Sequence, residues 1–143
     1  TTATELNEER RSARQFIIDS WQKALRNEKL TAIEQQIVEI ISYHPEYHTL
    51  LGSNAAIDYQ GEDNPFLHLS LHLTLNEQLS INQPEGIRAR YQSLSEKLGD
   101  AHNAAHQIIE CLNITLQSAF ERGIEPSPED YLATIDQILA RLG

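Results

Sequence analysis

The chain has 143 residues and 40% hydrophobic side chains, about the length of one domain with enough apolar content to bury a core. Its 21 acidic side chains against 11 basic ones leave a formal charge of −10. That charge repels phosphate backbones and anionic lipid surfaces, so neither nucleic acid nor a membrane is an expected partner.

The chain reads as all-α, a single domain over residues 1–143 built as an up-and-down bundle of about six helices. A first helix, roughly residues 6 to 28, carries Phe16, Ile17, Trp21, Ala24 and Leu25 at helical spacing. Arg10, Arg11 and Arg14 stand beside Glu5, Glu8 and Glu9, the pattern of a solvated face rather than a basic patch. Thr31 followed by Glu34 is a capping box and opens a second helix through Ile33, Ile37, Ile40 and Ile41. Pro45 interrupts it, and "PEYHTLLG" suits a short helical turn ending at Gly52.

Residues 53–64, "SNAAIDYQGEDN", are polar, acidic and aperiodic, as a long surface loop would be. Asn64 with Pro65, Asn82 with Pro84, and Ser127 with Pro128 and Asp130 each pair an N-cap residue with an early proline. They open helices of about 65–80, 84–98 and 128–142. Gly99 stops the second of these, and Asp100 caps a long helix running to Gly123.

The stretch "NPFLHLSLHLTL", residues 64–75, alternates as a strand would. Leucine is nevertheless a strong helix former, and a lone strand among helices would leave both backbone edges unpaired. Read as a helix, with His68 at zero, His72 lies near 40°, Leu75 near −20° and Leu71 near −60°, so both imidazoles point with the leucines. Ser70, Thr74 and Glu77 fall on the opposite side.

"DAHNAAHQIIE" places His102, His106 and Glu110 successively four residues apart, a ladder along one side of the long helix. With His102 at zero, Ala105, Ile109, Leu112, Leu116 and Phe120 lie between about −80° and 0°, so the ladder follows one margin of the expected buried stripe. All six histidines fall into HxxxH pairs. The third pair, His44 and His48, is the weakest, because Pro45 disfavours a helical conformation at His44; whether it joins the site is open.

Imidazoles one turn apart on two helices can converge on one ion. The candidate site is therefore His68, His72, His102 and His106, with Glu110 as a fifth ligand or a hydrogen-bonding neighbour. Its cofactor would be one divalent transition metal: four nitrogens suit Zn²⁺, Cu²⁺ or Ni²⁺, whereas nitrogen plus carboxylate suits Fe²⁺ or Mn²⁺. An open position would allow activation of water or handling of oxygen, with no choice between them. The alternative is a non-enzymatic interaction or regulatory module whose histidines form a buried hydrogen-bond network, with a homo-oligomer or a protein partner in view and any small-molecule ligand unknown.

The spacings resemble the ligand helices of hemerythrin-like bundles, although the neighbouring residues carry no hemerythrin signature. Together "NPFLHLSLHL", "EQLSINQPEGIR", "LGDAHNAAHQIIECL" and "HPEYH" resemble a bacterial family known as domain of unknown function 1841, over most of the chain from about residue 10 to Gly123 and beyond. The resemblance implies a small bacterial cytoplasmic protein and brings no catalytic residue with it.

Other chemistries leave no trace. There is no phosphate-binding glycine loop and no nucleophile elbow. The single cysteine, Cys111, can form no internal disulfide, which fits a reducing, cytoplasmic setting, and it reads as a core filler. No apolar run approaches the roughly 20 residues of a membrane span, and no signal-peptide core opens the chain. The five tyrosines read as packing residues with hydroxyls at the edge.

Overall fold

A computed structural model describes residues 3–59 and 64–143, with side chains from residue 8 onward. Among these residues there are seven α-helices and no strand: α1 Ala3–Leu25, α2 Ala32–Ser42, α3 His48–Leu51, α4 Pro65–Ile81, α5 Ile87–Leu98, α6 Ala101–Arg122 and α7 Pro128–Leu142. Short 3-10 turns at Pro45–Tyr47 and Asn54–Asp58 flank α3. The protein is all-α. No helix among the described residues is long and apolar enough to cross a membrane.

Two compact units divide the chain, residues 1–70 and 71–143, and the division falls within α4. In the first, α1 packs along α2 and against the Asn54–Asp58 turn. Ile17, Ile18 and Trp21 of α1 and Ile37, Ile40 and Ile41 of α2 are buried. The Thr31 hydroxyl accepts the Glu34 N–H, and the Glu34 carboxylate accepts the Thr31 N–H at 2.8 Å, completing the capping box. The same carboxylate takes a hydrogen bond from Lys23 Nζ at 2.8 Å. That double engagement turns Glu34 inward, so Ile33, expected on the buried face, is 45% exposed.

Phe16 and Leu25 are likewise exposed although they share the α1 periodicity. Arg14 departs from the solvated-face expectation. Its Nη1 donates to the carbonyls of Ile57 and Tyr59 at 2.9 and 3.0 Å, and the guanidinium lies 4.9 Å from the Phe66 ring centroid. The stretch expected as a long surface loop contains the 3-10 turn Asn54–Asp58, started by the Ser53 hydroxyl; residues 60–63 of that stretch lie outside the described residues.

The second unit has a core of Leu71 and Leu75 from α4, Ile87 and Leu94 from α5, Ile108 and Leu112 from α6, and Tyr131 and Ile135 from α7. The Tyr131 hydroxyl donates to Gln78 Oε1 at 2.8 Å, which satisfies a buried phenol whose pKa burial pushes upward. Helix α6 packs against both α5 and α7. Small residues, Ala104, Cys111, Thr115 and Ala119, are buried along it, and small side chains are what allow close helix approach. The buried stripe is therefore rotated from the expected one: Leu116 and Phe120 are exposed, Phe120 at 87%.

Caps at Asn64, Asp100 and Ser127 hold as expected, each side-chain oxygen accepting backbone N–H groups of the first turn. Helix α5 starts three residues later than its Asn82–Pro84 signal suggests. Gly86 at φ 99 precedes its first residue, a conformation glycine adopts without steric cost. Asn82 still serves the helix from a distance, its Oδ1 accepting the Arg88 N–H at 3.2 Å.

Candidate metal centre

The first half of the site is built where α2 ends. Carbonyls in the last turn of a helix lack regular intrahelical partners; here those of Ile40 and Ile41 accept the Tyr43 and His44 N–H groups and, in addition, each takes a histidine ring nitrogen. His44 has φ −126 and ψ 72, outside the helical region that a following proline disfavours. Its Nδ1 lies 2.6 Å from the Ile40 carbonyl oxygen, and His48 Nε2 lies 2.9 Å from that of Ile41. A carbonyl only accepts, so Nδ1 of His44 carries the proton, and in the neutral ring Nε2 presents a lone pair.

That lone pair faces Nε2 of His68 at 2.9 Å. The Tyr47 ring stacks on the buried His44 ring, with centroids 5.2 Å apart and planes 8° from parallel. His48 is engaged elsewhere: besides the Ile41 carbonyl it packs on Trp21, centroids 4.6 Å apart.

The second half lies in α4 and α6. His72 is buried, and its Nε2 lies 3.1 Å from Nε2 of His106. The His102 ring runs parallel to His72 at 6.0 Å and sits 4.2 Å from the His106 ring. Asp100 anchors this end of α6, accepting the His102 N–H at 2.9 Å.

His68 and His72 stand four residues apart on one continuous helix, one turn along the same face. The two pairs are thus carried on successive turns of α4. His44, His68, His72 and His106 each offer a ring nitrogen, these nitrogens lie within 4.8 Å of one another, and the group could hold a metal ion. No carboxylate or thiol joins that group among the described residues.

Of the residues singled out in the sequence, His68, His72 and His106 fall in this group. His102 packs beside it without contributing a nitrogen, and Glu110 is exposed. His44 is the member that sequence reasoning left open. Its signal is present in "HPEYH", a third pair at the same spacing, but helical phasing does not place a ring that Pro45 takes out of the helix. Proline takes His44 out of the helix, and there its ring turns back onto the Ile40 carbonyl. Cys111 lies outside the group, in the core of the second unit, where burial, with a smaller contribution from the Glu110 charge, pushes its thiol up to about 11.

No curated protein and no solved structure matches the chain. A family model described as a domain of unknown function does match, over residues 9–137, most of the sequence and both halves of the histidine group. The chain belongs to the family of domains of unknown function DUF1841.

Proposed function

We propose that this protein binds one divalent transition-metal ion through His44, His68, His72 and His106. The observation that carries the reading is the convergence of four ring nitrogens on and beside α4. The His44 bond to the Ile40 carbonyl supports it, because a second bond that fixes the tautomer and orientation is a recurrent feature of liganding histidines. Four neutral nitrogens favour Zn²⁺, Cu²⁺ or Ni²⁺, and the exposure of Glu110 weakens the case for Fe²⁺ or Mn²⁺. A cytoplasmic setting goes with this reading, since a chain with a single cysteine builds no internal disulfide.

One observation favours a second reading. The spacings of 2.9 and 3.1 Å are also those of N–H···N hydrogen bonds, so the pairs could act as a metal-free polar network in an interaction module. Metal content of protein purified without an affinity tag separates the two. The first reading expects close to one equivalent as isolated or after titration, lost in His44→Ala and His106→Ala and kept in His102→Asn. Less than about a tenth of an equivalent of any metal, unrecovered on titration, would sink it.

A further inference from the structure

We infer that an ion held by these four histidines keeps a coordination position for a small anion, a hydroxide derived from water or a carboxylate from solution. The inference rests on the metal-binding reading above and adds to it the chemical class of the exogenous ligand.

Charge is the first consideration. Imidazole binds a metal as a neutral donor, and no carboxylate or thiol belongs to the group among the described residues. The double charge of the ion is then uncompensated by its protein ligands. A cation in that condition lowers the pKa of bound water and draws anions.

Angle is the second. Two nitrogens each about 2.0–2.1 Å from one Zn²⁺ stand about 2.9 Å apart at right angles and about 3.3–3.4 Å apart at the tetrahedral angle. The His44–His68 pair, at 2.9 Å, has the right-angle spacing, and the His72–His106 pair, at 3.1 Å, falls between the two and short of the tetrahedral one. Donors set at right angles leave further positions of a square pyramid or octahedron, whereas a closed tetrahedron leaves none.

Access is the third. Each pair has one buried ring, His44 or His72, and one half-buried ring, His68 or His106. Every pair therefore retains a member in contact with solvent, which a small ion needs in order to arrive.

The test uses the wild-type chain loaded with Co²⁺, whose visible spectrum reports coordination number, followed by titration with azide and, separately, acetate. The expected result is the weak absorption of a five- or six-coordinate ion, with a saturable change in band position on adding azide that acetate competes away. Intense tetrahedral bands that no concentration of azide alters would overturn the inference while leaving the metal site intact. Failure to bind Co²⁺, Zn²⁺, Cu²⁺ or Ni²⁺ at all would remove the metal reading and this inference with it.

Discussion

At the scale of single residues, Glu34 has the sharpest electrostatic consequence. The hydrogen bond from Lys23, aided by the Thr31 N–H, holds its carboxyl below the ordinary 4.5, at about 2. The folded value lies below the unfolded one, so the ionised carboxylate stabilises the fold at neutral pH. That contribution is lost as pH falls from about 4.5 through about 2. Lys23, raised above 10.5 by the same contact, gives up its share only in alkali. Glu34→Gln should therefore be less stable than wild type at pH 7, and the difference should shrink as pH falls from 5 to 2.5, measured by urea denaturation along that series. An unchanged difference would mean that the ion pair contributes nothing. The capping box was legible in Thr31 and Glu34 alone; the pairing with Lys23 was not, because it joins residues on two helices whose packing the spacing does not reveal.

At the scale of elements, the caps were the most legible feature, since Asn64, Asp100 and Ser127 act through hydrogen bonds to their own next few residues. Positions that depend on a neighbouring helix were less so. The start of α5 turns on the left-handed Gly86, and the buried stripe of α6 turns on which side its small residues meet α5 and α7. Both depend on backbone conformation or packing that a 100° wheel does not contain. The site divides the same way: His68, His72 and His106 share helical registers, whereas His44 enters from a kinked turn. Asp100 links cap and site, because His102 and His106 occupy the first two turns of α6. Asp100→Ala should cost about 0.5–2 kcal/mol of stability, read from chemical denaturation. It should also weaken metal binding, as fraying at His102 reaches His106. Equal metal affinity in wild type and variant would show that the first turn stays wound without its cap.

For the whole molecule, a ligand that binds only the folded chain stabilises it by mass action. At a hundredfold excess over Kd the gain is about 2.7 kcal/mol. For a chain of this length it should appear as a rise of roughly 5–10 °C in Tm. Zn²⁺ should produce that rise in calorimetry and EDTA should reverse it, with His44→Ala showing neither. A Tm indifferent to both reagents would favour the metal-free histidine network. Acidity works in the same direction as the proposed metal binding: a formal charge of −10 attracts divalent cations towards the surface from a distance of about a Debye length, more strongly at low salt.

The packing of Trp21 on His48 gives the protein a built-in optical probe. It is the only tryptophan in the chain, and it belongs to the unit that holds His44 and His68, while the unit holding His72 and His106 contains none. Indole emission thus reports on the α1–α2 half alone, whereas far-ultraviolet circular dichroism sums the helices of both. Followed side by side during metal titration or unfolding, the two signals show whether the α1–α2 unit responds at the same point as the helices in total, without any added label.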